Sequence, residues 1–170
     1  MANYSLWDNG RQAIRGNAVK EKSIAKAVCL FSLLFALSAH AVDSGFSETI
    51  GGGLFCLDEI DQNFYINWIS QRYGPPQKRE GRAYWFDVTG EKLFGATLKY
   101  LFVGDGTSDY EFIGAVFEDA PADLVKKIGD YQGRKVDFQM NADGYASKTG
   151  SRIITNYDGG SKMYCAKKVE

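Results

Sequence analysis

The sequence predicts an α+β fold: a single small domain in which an antiparallel sheet packs against one longer and one short helix, with one disulfide joining the ends. Three observations lead to this prediction. One stretch has apolar residues at helical spacing, several short apolar runs are separated by turn-rich segments, and two cysteines flank most of these elements. Helices and antiparallel strands that are segregated along a chain are typical of this class.

Two helices are predicted. The first covers Leu57–Tyr73, where apolar residues recur three or four positions apart, acidic residues suit the first turn, and Gly74-Pro75-Pro76 ends it. The second is short: Asp119 is its N-cap, Pro121 stands near its first position, and Gly129 ends it. The wide aromatic stripe of the first helix is interpreted as core packing rather than as a cofactor site.

Six strands are predicted from apolar and alternating runs bounded by glycine- and aspartate-rich turns. They are Ala83–Val88, Leu93–Val103, Tyr110–Phe117, Lys135–Met140, Ser151–Tyr157 and Lys162–Lys167. In the second run, strict alternation would place Phe94, Ala96, Leu98, Tyr100 and Phe102 on one face of the sheet, and Thr97, Lys99 and Leu101 on the other.

Residues 1–41 have the features of a secretory signal peptide. The apolar run Ala27–Leu37 follows basic residues and precedes Ala39-His40-Ala41. At 11 residues it is shorter than the roughly 20 that a membrane span needs. We predict cleavage after Ala41, with translation from Val19 giving a signal of conventional length; the alternative is a buried core helix. Cys29 lies inside the apolar run, so no lipid attachment is predicted, and the product is expected to be periplasmic or secreted without a stable membrane anchor.

The predicted mature chain differs in character from the whole sequence. Removal of 41 of the 170 residues leaves 129, divided into a flexible leader (residues 42–53, ending in Gly51-Gly52-Gly53) and a single domain (54–170). Five basic and two acidic residues are lost from the 20 and 21 present, so the mature chain has a formal charge of −4. This mildly acidic balance disfavours nucleic acid as a partner.

The cysteine and histidine content limits the chemistry. Cys56 and Cys165 remain after cleavage, and an even pair in an exported chain predicts one disulfide. The alternative, a reactive thiol, requires an activating neighbour that neither position has. The only histidine, His40, leaves with the signal, which excludes a Ser-His-Asp triad, a Cys-His dyad and a histidine-ligated zinc site. No metal or cofactor is expected.

Carboxylate chemistry stays open as an alternative, because a glycosidase requires only two acidic residues across a cleft. The available acidic residues are Asp58, Glu59, Asp61, Asp87, Glu91, Glu111 and Glu118. No pair among them is marked by its spacing. The loop Gly104–Asp109 is rich in oxygen ligands, but it has only two carboxylates and lacks the bidentate glutamate of an EF-hand, so a hairpin turn is predicted there.

The aromatic content of the mature chain predicts a binding surface. Aromatic and arginine side chains near a rigid proline turn are typical of protein-binding hot spots. The candidate binding residues are Tyr73, Pro75, Pro76, Arg79, Arg82 and Trp85. The alternative interpretation of this segment is a helix end followed by an ordinary strand that is buried on both faces.

The leading hypothesis is an exported, non-catalytic protein-binding module of inhibitor or immunity type, whose partner is another envelope or secreted protein. The first alternative is a carrier of a small apolar ligand, with Leu98, Tyr100 and Phe102 lining a cavity between the sheet and the first helix. The second alternative is a carboxylate-based cell-wall hydrolase.

One segment resembles a known family. A helix that ends in Tyr73-Gly74-Pro75-Pro76 and is followed by Gly81-Arg82-Ala83-Tyr84-Trp85-Phe86 resembles the small lipoproteins of the outer-membrane barrel-assembly machinery. The lipid-bearing cysteine is missing here and the order of elements differs, so no function is carried over from this resemblance.

Overall fold

A computed structural model describes residues 44–130 and 136–169 of the chain. All of these residues lie within one compact unit, Asp43–Glu170. The helices in the described ranges are α1 (Ser44–Leu54), α2 (Gln62–Tyr73) and α3 (Pro121–Asp130). The strands are β1 (Lys78–Glu80), β2 (Ala83–Asp87), β3 (Lys92–Leu93), β4 (Ala96–Gly104), β5 (Tyr110–Phe117), β6 (Phe138–Asn141), β7 (Gly144–Ser147), β8 (Arg152–Thr155) and β9 (Ser161–Lys168).

The strands form one sheet in the order β1-β2-β4-β5-β9-β8-β7-β6, with β3 paired to β4. Every pair of neighbours is antiparallel. The two long strands β5 and β9 lie at the centre and are joined through α3 and the β6–β8 meander. The architecture confirms the predicted α+β class.

The three helices pack on the same face of the sheet. Their buried apolar side chains, such as Ile50, Ile69 and Leu124, belong to one core cluster with strand residues such as Leu101 and Ile113. Removing this apolar surface from water stabilises the fold by about 25 cal/mol for each Å² buried. We call the opposite face of the sheet, which carries a second and smaller cluster made of strand residues, the outer face.

The prediction of a flexible leader is wrong for residues 44–53, because this segment belongs to α1. Phe46, Ile50 and Leu54 recur every fourth position and are 4%, 0% and 0% exposed. Three consecutive glycines favour a flexible chain in isolation, since glycine destabilises a helix by about 1 kcal/mol relative to alanine. Here Gly51 and Gly53 instead allow the helix to approach the rings of Phe94 and Tyr65 closely.

The disulfide between Cys56 and Cys165 is present, as predicted. Cys56 lies two residues after the last residue of α1, Leu54. Its positive φ of 56° and the hydrogen bond from Leu57 N to Gly52 O (3.0 Å) end the helix in a left-handed turn. Cys165 is fully buried in the central strand β9. The disulfide therefore attaches the end of α1 to the middle of the sheet. It also indicates a non-reducing, extracytoplasmic environment.

Several element boundaries differ from the predictions. Helix α2 begins at Gln62 rather than at Leu57, because Asp61 is the N-cap and accepts a hydrogen bond from Phe64 N (3.0 Å). Helix α3 continues one residue past Gly129. Strands β1 and β7 were not predicted, since one is short and charged and the other follows a turn immediately.

A turn and a bulge interrupt the predicted strand Leu93–Val103. Phe94 and Gly95, with φ of 56° and 74°, separate β3 from β4, and the register of β4 against β5 shifts between Leu98 and Tyr100. One extra residue reverses the alternation of side chains beyond it. Leu98 thus lies in the core beneath the helices, while Tyr100 and Phe102 contact the cluster on the outer face. The prediction that these three residues line one cavity is wrong.

The predicted signal peptide (1–41), its alternative start at Val19, and Cys29 and His40 lie outside the described residues. Within the described ranges, none of the helices has the length and apolarity that a membrane crossing requires.

Candidate functional site: an aromatic cleft on the outer face

An aromatic cluster forms on the outer face because β2, β4 and β5 each contribute large side chains to it. The rings of Trp85 and Phe102 are stacked with centroids 4.8 Å apart, and Tyr100 meets Trp85 edge-on at 6.3 Å. Phe112 lies 6.3 Å from Phe102. The ring of Phe102 lies over Gly114, where a Cβ atom would clash with it. The glycine thus allows the cluster to lie close to the sheet.

Hydrogen bonding and cation–π contacts hold Trp85 in place. Its indole Nε1 donates to Glu80 O (2.9 Å). The ammonium group of Lys78 lies 5.1 Å from the ring centroid of Trp85. The ammonium group of Lys162 lies 5.5 Å from the ring centroid of Trp85 and 5.5 Å from that of Phe102. Such contacts contribute about 0.5–2 kcal/mol each, depending on desolvation. The indole is therefore a rigid surface whose polar group is already satisfied.

A cleft of about 480 Å³ opens beside this cluster. Trp85, Tyr100 and Val116 line it from the sheet. Strand β1 forms one wall with Lys78 and Glu80, and the loop after β8 forms the other with Asn156, Tyr157 and Asp158, while Lys162 contributes from β9. The volume lies within the range of about 300–1,000 Å³ that is usual for binding sites.

The loop at residues 156–160 is braced by Asp158. Its carboxylate accepts hydrogen bonds from Lys99 Nζ (2.7 Å), Asn156 Nδ2 (2.9 Å) and Gly160 N (3.1 Å). Lys99 is the extra residue of the β4 bulge, so the bulge that turns Tyr100 to the outer face also fixes this loop. The side chain of Tyr157 is 96% exposed at the tip. An exposed aromatic ring therefore stands on a loop that is already ordered.

The two carboxylates that line the cleft are both paired with lysines. A hydrogen bond from Lys78 (2.6 Å) holds the pKa of Glu80 below its usual value. The bond from Lys99 is the largest of several that lower the pKa of Asp158. Both groups are ionised at neutral pH and act as acceptors, whereas a general acid requires a raised pKa.

Among the described residues, no group of three or more histidine, cysteine or acidic side chains could hold a metal ion. In the oxygen-rich loop, Asp105 bonds to Thr107 and Arg79 instead.

The structure places the six predicted binding residues on different surfaces. Trp85 lines the cleft. Tyr73 packs instead on the helix side, with its ring centroid 6.0 Å from that of Phe46. Pro75 is exposed and Pro76 half-buried in the connection after α2. Arg79 and Arg82 are both exposed, in β1 and in the turn before β2.

Arg79 has a structural contact that the sequence did not indicate. Its Nε donates to Asp105 Oδ2 (2.6 Å), joining β1 to the turn after β4. The Asp105 side chain is 3% exposed and also accepts hydrogen bonds from Thr107 Oγ1 and N, at 2.5 and 3.0 Å. Bonding to Thr107, with a further contribution from Arg79, lowers the pKa of Asp105 to about 2.

We expect Asp105 to make the fold acid-sensitive. Its pKa is about 2 in the folded state against 3.8 ordinarily, so its stabilising effect is complete above pH 3.8 and is lost as the pH falls towards 2. Urea unfolding at a series of pH values measures the effect. Asp105→Asn should lower the free energy of unfolding at neutral pH, and the difference in this free energy between the variant and the native protein should shrink as the pH falls from 3.8 towards 2. A difference that stays constant with pH would contradict the assignment.

Sequence reasoning missed most of the residues that line the cleft. The sequence predicts Tyr100 on the same face as Leu98, which is wrong, and it predicts Tyr157 and Lys162 only as strand residues. One signal was available for Tyr157: an aromatic residue directly before Asp158-Gly159-Gly160 stands next to a turn, where it cannot be buried easily.

Comparison with protein-family models, curated proteins and solved structures gives no match to this chain. We therefore infer function from the cleft.

Proposed function

We propose that this protein is an exported, non-catalytic protein-binding module, and that it binds its partner through the cleft and the adjoining Tyr157. The observation that carries the proposal is an exposed aromatic ring on a braced loop beside a rigid aromatic cluster. Its partner would be another envelope or secreted protein, and the class resembles inhibitors of exported enzymes and immunity proteins by analogy only.

Partner binding at the cleft would cost little conformational entropy, because the groups that form its surface are already held in place. Binding through flexible side chains costs about 0.5–1.5 kcal/mol for each side chain that becomes ordered. Here Trp85 is held by its hydrogen bond and stacking, and the loop of Tyr157 is held by the three bonds to Asp158. Aromatic side chains in such a setting dominate the energetics of many protein interfaces.

The expected location supports the same proposal. The disulfide indicates a non-reducing compartment, and the predicted signal peptide would direct the chain to the periplasm or beyond. In the cleft, the paired and ionised carboxylates of Glu80 and Asp158 favour recognition over acid catalysis.

Affinity capture from an envelope extract, with partners identified by mass spectrometry, tests the proposal. Tyr157→Ala should weaken capture of the specific partner about tenfold or more, as expected for an interface hot spot. The substitution should leave the melting temperature unchanged, because the side chain is 96% exposed.

Phe64→Ala provides the matched control. This residue is also aromatic and 48% exposed, but it lies on α2 on the other side of the sheet. Capture that survives Tyr157→Ala, or that both substitutions weaken equally, would contradict an interface at the cleft.

A further inference from the structure

We infer that the partner presents an extended acidic segment to this surface, with its carboxylates on Lys162 and Arg152. The inference rests on the proposed function, since it specifies the chemistry of the partner that the same cleft would bind.

The cations on this side of the sheet differ in whether they have an acidic partner. Lys78 forms an ion pair with Glu80 (2.6 Å) and Lys99 with Asp158 (2.7 Å). In the described part of the chain, neither Lys162 nor Arg152 has a carboxylate within 4.0 Å. Lys162, which lines the cleft, and Arg152, on the neighbouring strand β8, are therefore left without an acidic partner among the described residues.

Lys162 and Arg152 lie close to each other on the sheet. Lys162 on β9 stands opposite Ile154, and Arg152 on β8 stands opposite Tyr164, so the two cations are diagonal neighbours on the outer face. The Cα atoms of diagonal neighbours in an antiparallel pair are about 7–8 Å apart. One extended segment that lies over this face can therefore reach both side chains.

Lys162 is partly withdrawn from water beside two aromatic rings. Its ammonium group lies 5.5 Å from the ring centroids of both Trp85 and Phe102, and the residue is half-buried. A cation that is partly withdrawn from water interacts with a carboxylate more strongly than a fully solvated one does.

The spacing identifies the form of the acidic segment. Residues i and i+2 of an extended strand point to the same side and lie about 6.6–6.8 Å apart. This distance is close to the separation of the Cα atoms of Lys162 and Arg152. A partner with acidic residues at alternate positions could therefore contact both, while an apolar side chain next to them enters the cleft beside Tyr157.

Peptide titrations followed by NMR test the inference on the purified protein. The probe is a capped peptide, Glu-Ser-Glu-Ser-Phe. One control, Gln-Ser-Gln-Ser-Phe, removes the charge, and the other, Glu-Glu-Ser-Ser-Phe, keeps the charge but changes the spacing. We expect the probe to bind about tenfold more tightly than the uncharged control and more tightly than the respaced one, with amide shifts at Arg152, Tyr157 and Lys162 and weaker binding at high salt.

Protein variants complete the test. Lys162→Gln and Arg152→Gln should each weaken binding of the probe about three- to tenfold, whereas Lys126→Gln, an exposed cation on α3, should have no effect. The inference is wrong if the charged and uncharged peptides bind equally, if neither binds, or if a sulfated oligosaccharide binds at Lys162 while the acidic peptide does not.

Affinity capture separates this inference from the proposed function. If partner capture depends on Tyr157 but is unchanged by Lys162→Gln and Arg152→Gln, the protein-binding function stands and the acidic segment is rejected. If capture is also independent of Tyr157, the proposed function fails first.

Discussion

Breaking the Cys56–Cys165 disulfide is expected to lower the free energy of unfolding by about 2–5 kcal/mol. The bond closes a long loop, with its cysteines 109 positions apart in sequence, and the chain-entropy model gives about 4.7 kcal/mol for a loop near 100 residues. It also fastens α1 to the fully buried Cys165 of the central strand β9. Urea unfolding of the Cys56→Ser/Cys165→Ser variant, compared with the oxidised protein, measures the effect.

Two controls separate the cross-link from the backbone at Cys56. Reducing the native protein should reproduce the loss, since it breaks the same bond without substitution. Within a Cys165→Ser background, Cys56→Gly should be about 1 kcal/mol more stable than Cys56→Ser, because glycine adopts the observed φ of 56° without strain. A double variant as stable as the oxidised protein would show that the disulfide does not support the fold.

Gly53→Ala is expected to lower the free energy of unfolding by about 1–3 kcal/mol, the usual cost of adding a group to a packed site. In an exposed helix the same change would stabilise by about 1 kcal/mol. Here a Cβ atom would lie 2.5 Å from Tyr65 Oη, 2.8 Å from Tyr65 Cζ and 3.1 Å from Ile113 Cγ2. Helix α1 would have to move away from α2 and β5 to admit it.

Gly129→Ala is the matched control, because that glycine is also helical and has nothing within 4 Å of its Cβ position. It should raise the free energy of unfolding by about 0.4–1 kcal/mol. Thermal and urea unfolding of Gly53→Ala and Gly129→Ala would measure both changes in the free energy of unfolding. Small effects of the same sign in both would mean that α1 does not pack against the domain and would favour the flexible leader.

The elements that the sequence predicted correctly depend on local patterns. In α2, Tyr65 and Ile69 recur at helical spacing and are buried at 3% and 0%. Strand β5 begins and ends at the predicted Tyr110 and Phe117, since turns bound it on both sides. Helix α1 was missed because Gly51-Gly52-Gly53 has a low helix propensity, and only packing against neighbouring rings compensates for it.

The candidate site was predicted only in part. Trp85 was selected from composition and does line the cleft, but Tyr73, which was grouped with it, packs on the helix side. Proximity in sequence does not place two residues on one surface when a strand and a sheet face separate them.

The α+β class, the pairing of Cys56 with Cys165 and most of the strand-bounding turns could be predicted without coordinates, because they follow from local spacing and from the number of cysteines. The packing of α1 on the sheet and the position of Tyr100 beside Trp85 on the outer face depend on contacts between residues far apart in sequence. A glycine's effect on a helix depends on what packs against it, and the one-residue bulge at Lys99 reverses the face of every side chain beyond it in β4.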